Sequence, residues 1–164
     1  MPELQRLRAD HAPAVLAFER ANRTYFASFI SDRGQAFFDH FEESYNEWLA
    51  DQETGTCILH ALISEDGSVL GIFNLRDVDD GTAVLGYRVA QHVAGHGVAT
   101  ATVQELCEVA VAQYGLRTLR AATNLDNVAS QKVLTRAGFA PDGPADPAVI
   151  GGRPGTWYQR HLVI

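Results

Sequence analysis

Cysteine is scarce in this sequence, and long apolar runs are missing altogether. Only Cys57 and Cys107 occur. They form neither a close-spaced ligand pair nor a disulfide framework, so they read as two buried thiols in a reducing compartment. No apolar run approaches the roughly 18–20 residues that span a bilayer, which sets a membrane role aside. The opening residues Met1-Pro2-Glu3-Leu4-Gln5-Arg6 lack the charged-then-apolar pattern of a secretion signal, and a cytoplasmic setting is expected. Basic residues are also short: 13 Lys and Arg face 20 Asp and Glu, for a formal charge of −7. Such a surface repels nucleic-acid phosphates and weakly attracts cations, so no nucleic-acid partner is expected. No repeat or low-complexity tract occurs. What remains is 164 residues with 46% hydrophobic and 20% charged content, the size and balance of one globular domain.

Local patterns place the elements. Leu4 to Arg8 reads as a first strand, and Asp10 and Pro13 open a helix that runs to about Ala21. Residues 24–34 read as a loop or broken helix. A second helix covers about 35–50, with Phe38, Phe41, Tyr45 and Trp48 at helical spacing. Residues 57–64, 69–78 and 82–90 read as three strands joined by the turns Glu65-Asp66-Gly67-Ser68 and Asp79-Asp80-Gly81, an antiparallel meander. A long helix is expected over 98–114, stopped by Gly115. A strand at 118–123 and a helix from Asp126 or Asn127 to about Ala137 follow, ended by Gly138. From Phe139 the chain reads as irregular, closing in a hairpin around Gly151-Gly152-Arg153-Pro154-Gly155. The implied fold is α/β (α+β), a single domain with a mixed sheet. Acceptor-side helices occupy about 10–50, a ligand-binding core about 57–140 and a C-terminal hairpin about 145–164.

Ala94-Gly95-His96-Gly97-Val98 stands where the third meander strand gives way to the long helix. Two glycines allow a tight turn and a close backbone approach. The helix start supplies unpaired amides and a positive dipole end, together a cradle for a pyrophosphate. Gly86-Tyr87-Arg88-Val89 precedes this loop, and Asn127-Val128-Ala129-Ser130 and Val133-Leu134-Thr135-Arg136-Ala137-Gly138-Phe139 follow it.

This ordered set resembles the GNAT acetyltransferase superfamily, most closely the branch of ribosomal-protein N-terminal acetyltransferases. The resemblance implies an acyl donor, acetyl-CoA, with no metal, and an amine acceptor; a homodimer is compatible with it. It implies a sheet whose strands 82–90 and 118–123 splay apart around the pantetheine arm. Tyr87 to Val89 would pair with that arm, and Asn127 would hydrogen-bond it. His92, Gly95 and Gly97 stand at the family's phosphate-loop positions, with His92 departing from the usual Gln or Arg. Ala94, His96 and Val98 complete the loop. Leu134 stands where many members carry a tyrosine that protonates the leaving thiolate. Ser130, one turn earlier on the same face, is then the expected donor, with Tyr87 and Tyr158 as alternatives.

Many relatives also place a Glu on the last meander strand as base. Residues 82–90 contain no Asp, Glu or His. Candidates elsewhere are His60, Asn74 and Asp77, or a water relay. His60 alternates with Ile58 and Leu62, as a core histidine would. Asn74 can only orient an amine or a water. Deprotonating a lysine amine at neutral pH costs about 4.6 kcal/mol, whereas an α-amine costs about 1 kcal/mol. A site without a carboxylate therefore suits a peptide N-terminus or a low-pKa small amine. Residues 25–48 hold 8 of the 15 aromatics. Of these Tyr25, Phe26 and Phe29 lie between the helices, and the resemblance places that region at the acceptor site. Two alternatives remain at this stage: a small-molecule amine acetyltransferase, and a CoA-binding regulatory module without catalysis.

Overall fold

Hydrophobic alternation along the meander builds the centre of the molecule. On strand β2 (Ile58–Ile63), Ile58 and Leu62 point to one side while Leu59 and Ala61 point to the other, the period of two that a sheet requires. The computed structural model describes residues 2–146 and 154–162. A seven-stranded sheet runs in the order β1-β2-β3-β4-β5-β7-β6. Its other strands are β1 (Glu3–Arg6), β3 (Val69–Asp79), β4 (Thr82–Val89), β5 (Thr118–Asn124), β6 (Ala140–Ala145) and β7 (Gly155–His161). All neighbours pair antiparallel except β4 and β5, which are parallel. Helices α1 (Ala12–Ala21), α2 (Arg23–Ala27), α3 (Gln35–Asp39) and α4 (Phe41–Glu53) precede β2. Helix α5 (Val98–Tyr114) joins β4 to β5, and α6 (Val128–Arg136) joins β5 to β6. None of the helices among the described residues is long and apolar enough to cross a membrane.

Two cores sandwich the sheet. On one face Val103, Leu106, Cys107 and Ala110 of α5 pack on Phe73, Leu75, Leu85 and Leu119. On the other, Val15, Phe18, Phe26, Phe41 and Tyr45 of the N-terminal helices cover Leu59, Ala61 and Ile72. The two faces are therefore served by different parts of the chain.

Three local expectations need correction. Asp10 does not cap α1: a 3₁₀ turn at Ala9–His11 comes first, and the Asp10 carboxylate accepts from Arg8 Nε at 3.0 Å. The helix expected over 35–50 is broken at His40, whose φ and ψ of −120° and 38° leave the helical range. The segment 24–34 is a broken helix, one of its two expected forms: α2 ends at Ala27 and turn and coil follow. Residues 140–145, expected to be irregular, form β6 despite Pro141, Gly143 and Pro144. Proline lacks a ladder donor and is tolerated on an edge strand, and β6 is the sheet's edge, with its register slipping between the two prolines. The turn expected at 151–155 lies mostly outside the described residues.

Candidate active site

The parallel pair β4–β5 is the feature that opens the site. It is registered only at Thr82↔Thr118, Ala83↔Leu119 and Val84↔Arg120. Strand β4 continues to Val89 against β3, and β5 continues to Asn124 against β7. From Leu85 onward β4 thus has no strand partner on its β5 side. A cavity of about 400 Å³ occupies the gap, lined by residues 84–88 of β4 and 121–124 of β5.

On the α6 side of the gap, Tyr87 stacks on Phe73 with ring centroids 5.7 Å apart. Its hydroxyl lies 3.1 Å from Ser130 Oγ. Burial pushes the Tyr87 phenol up to about 12, so it keeps its proton at neutral pH. Asn127 Oδ1 accepts from the Ser130 amide at 3.1 Å and caps α6. Leu134 is buried and also lines the cavity.

On the other side, residues at even positions of β3 and β4 face the N-terminal helices. Asn74, Arg76 and Arg88 line the cavity here, joined by Ile30, Ser31 and Arg33 from the segment after α2. Glu19 of α1 is only 1% exposed, yet it meets two guanidinium groups: Arg33 Nε at 2.9 Å and Arg88 Nη1 at 3.1 Å. A buried carboxylate needs such partners, because an unpaired charge is expensive to desolvate. The Arg88 guanidinium lies 4.8 Å from the centre of the Phe26 ring. Burial, and then Arg33, lower its pKa to about 10, which still leaves it charged at neutral pH. Asn74 Oδ1 is buried and has no hydrogen-bond partner among the described residues.

The glycine loop follows β4. Gly95 and Gly97 have φ of +81° and +77°, and a Cβ built on either would meet nothing within 4 Å. Space is therefore open above the loop, and the left-handed backbone is what calls for glycine. After the Ala94 amide, the next bonded backbone amide is that of Ala101, which donates to Gly97 O at 3.1 Å. The amides from Gly95 to Thr100 have no partner among the described residues. The unmet amides and the open space fit an anionic phosphate group.

Residues 3–140 match the sequence profile of the acetyltransferase (GNAT) domain. The chain belongs to the GNAT acetyltransferase family. It is therefore an acetyltransferase with acetyl-CoA as donor. No curated protein matches the sequence. Among solved structures, a ribosomal-protein-S5-alanine acetyltransferase from Vibrio fischeri superposes with a TM-score of 0.89 at 16% identity, covering 98% of this chain and 93% of that one. RimJ from Mycobacterium smegmatis, in complex with a CoA-disulfide, gives 0.85 at 20% identity, with 96% and 80% covered. A spermidine N-acetyltransferase from Vibrio cholerae, in complex with CoA and spermine, gives 0.79 at 16% identity, with 98% and 95% covered. At these identities the likeness is one of fold.

Within the GNAT frame the structure gathers some sequence-predicted residues and disperses others. Tyr87, Asn127, Ser130 and Asn74 share the cavity. Val89 ends β4, next to the loop that carries exposed His92 and His96, half-buried Ala94 and Val98, and the two glycines. Tyr25, Phe26 and Phe29 do not line the cavity. Phe26 is 2% exposed in the N-terminal core, with Tyr25 and Phe29 packed around it. The cavity wall is made instead by the next residues along, Ile30, Ser31 and Arg33. His60 lies on the opposite face of the sheet, under α5, with Nε2 3.0 Å from the Tyr114 hydroxyl. It is removed from the face covered by the N-terminal helices by the same alternation that made it look like a core residue. Asp77 sits at the β3 bulge with φ of +51° and is also outside the cavity.

Sequence reasoning passed over Glu19, Arg33, Arg76, Arg88 and Asn124. Two signals were available. Glu19 interrupts the apolar stripe of Val15 and Phe18 on α1, and Arg88 sits one residue from Tyr87, hence on the other face of the same strand. Asn124 ties the two halves together, donating from Nδ2 to Phe29 O at 3.1 Å.

Proposed function

We propose that this enzyme acetylates the α-amine of a peptide or protein N-terminus, by direct attack of the neutral amine on the thioester of acetyl-CoA. The observation that carries the reading is the composition of the cavity: among the described residues, no Asp, Glu or His lines it. A site without a strong base favours an amine that is already largely neutral near pH 7, and an α-amine is about 3 pKa units closer to that than lysine. Two unpaired cysteines support a reducing, cytoplasmic setting.

Acetyl-CoA supplies the activated acyl group. The loop amides of residues 95–100 would hold its phosphates, and the unpaired edge of β4 from Leu85 to Val89 would take its extended arm, with Asn127 beside it. As the amine nitrogen bonds to the acyl carbon, the carbon–sulfur bond breaks. The departing sulfur takes a proton from Ser130 Oγ, which Tyr87 re-supplies through their 3.1 Å contact, and solvent water returns a proton to the Tyr87 oxygen. The proton lost by the amine passes to water.

A thiol-release assay with acetyl-CoA tests the proposal. Its panel holds a peptide with a free N-terminus, the same peptide N-terminally blocked but carrying an internal lysine, free amino acids and spermidine. Turnover of the free-N-terminus peptide alone, or far above the rest, is expected. Turnover confined to the lysine peptide or spermidine overturns the α-amine assignment. Tight acetyl-CoA binding with no thiol release from any member identifies a non-catalytic CoA-binding module.

A further inference from the structure

Charge is distributed against the trend of the molecule at the acceptor wall. The protein carries a net −7, yet among the described residues the cavity is lined by Arg33, Arg76 and Arg88 and by no carboxylate. Glu19 offsets only one of these positive charges, because Arg33 and Arg88 share it. Arg76 has no carboxylate within ion-pair distance among the described residues, although it is exposed on β3. Its guanidinium lies across Gly86, with Nη2 3.4 Å from where a Cβ would stand. The absent side chain at 86 is what lets the group lie along the strand at the cavity wall. Two residues earlier on the same face is Asn74, whose buried Oδ1 lacks a partner. A strand separates such neighbours by roughly 6–7 Å, about the distance from a peptide's α-amine to an acidic side chain on its second residue.

Resting on the N-terminal acetyltransferase reading above, we infer that the acceptor wall selects an amine carrying an anionic oxygen group nearby, with Arg76 pairing to the anion and Asn74 holding the amine. For a peptide this means Asp or Glu next to the N-terminal residue. A small acceptor would offer the same chemistry through its own carboxylate. A polyamine, all cation, is the wrong partner for this wall. A guanidinium is suited to the task, since its planar fork pairs carboxylate oxygens two at a time.

The test compares kcat/KM across peptides that differ only at the second residue, Asp, Gln or Lys, together with glycine, glycinamide and spermidine. For the native enzyme the Asp peptide should exceed the Gln peptide by roughly 10- to 100-fold, the range for a charge-assisted hydrogen bond, with the Lys peptide and spermidine lowest. Arg76→Gln should collapse the Asp-to-Gln ratio to within about threefold, and Arg76→Glu should reverse the Asp-to-Lys order. A merely structural role for Arg76 would lower all substrates together and leave the order intact. Equal use of the Asp and Gln peptides, a preference for the Lys peptide or spermidine, or an unreversed order in Arg76→Glu overturns the inference. If glycine is acetylated over glycinamide while no peptide is, anion selection stands and the peptide reading falls. If acetyl-CoA binds and nothing is acetylated, both fall.

Discussion

The two sides of the cavity are built in different ways. On the proposed reading the donor side is main chain: a five-residue loop, the first turn of α5 and the free edge of β4, all within residues 85–100. The side proposed for the acceptor is side chain: Glu19, Arg33, Asn74, Arg76 and Arg88, drawn from α1, the segment after α2, and strands β3 and β4. Main-chain recognition asks only for glycine at the positive-φ positions and indifference elsewhere, so it tolerates the replacement of the family's Gln or Arg by His92. Side-chain recognition needs several particular residues to converge, and changing one of them changes the chemistry. The donor should therefore be held constant across relatives while the acceptor drifts.

Three measurements bear on this contrast, beginning with the largest effect. Gly97→Glu should weaken acetyl-CoA binding by roughly 10³-fold or more, since it forces a left-handed conformation on a side chain and sets a carboxylate in a phosphate site. A Cβ on Gly97 would meet no atom within 4 Å, so the fold should persist, which circular dichroism can check. Unchanged affinity by calorimetry would place the phosphates elsewhere.

Next in size is Ser130→Ala, which should lower kcat on the order of 10- to 10³-fold with the acetyl-CoA dissociation constant nearly unchanged. Ser130→Cys should keep part of the rate. Tyr87→Phe should cost a similar factor, and the double variant no more than the worse single, because the two hydroxyls act as one relay. Weaker acetyl-CoA binding with kcat intact would instead make Ser130 part of the main-chain side, as a contact near the Asn127 cap.

The smallest effect concerns neither side of the cavity. Burial lowers the pKa of His60 from 6.5 to about 4. Between those values the unfolded chain binds a proton that the folded one does not. The stability contributed is therefore complete above pH 6.5 and lost as pH falls toward 4, by roughly 2–3 kcal/mol. Urea titrations at pH 7 and pH 4.5 should show a smaller drop for His60→Gln than for the native protein. An equal drop would mean that His60 is charged in the folded state.

The same division explains what the sequence made legible. Turns, helix stops and alternation are local signals, and they located six of the strands, the glycine loop and the meander. Strand β6 escaped because its two prolines and glycine argue locally against a strand, while its place at the edge makes them harmless. The kink at His40 left no periodic trace, since Phe38, Phe41 and Tyr45 keep their burial on both sides of it. Tyr87 and Ser130, 43 residues apart, could be paired only by analogy. Glu19 and Arg88, 69 residues apart, form a contact that no local pattern encodes. The aromatics at 25, 26 and 29 pack inward, and it is Ile30, Ser31 and Arg33 just beyond them that stand at the cavity wall.

The seam between β4 and β5 has a consequence for the resting enzyme. Only three residue pairs hold the four-stranded and three-stranded halves together along that line, with Asn124 as a stitch at the far end. An extended ligand arm lying in the seam acts as a missing strand, so loading the donor completes the sheet as well as charging the site. Amides along the open edge of β4 should exchange slowly with solvent only when the donor is present. The whole domain should gain stability with donor concentration by mass action, about 2.7 kcal/mol at a hundredfold excess over the dissociation constant.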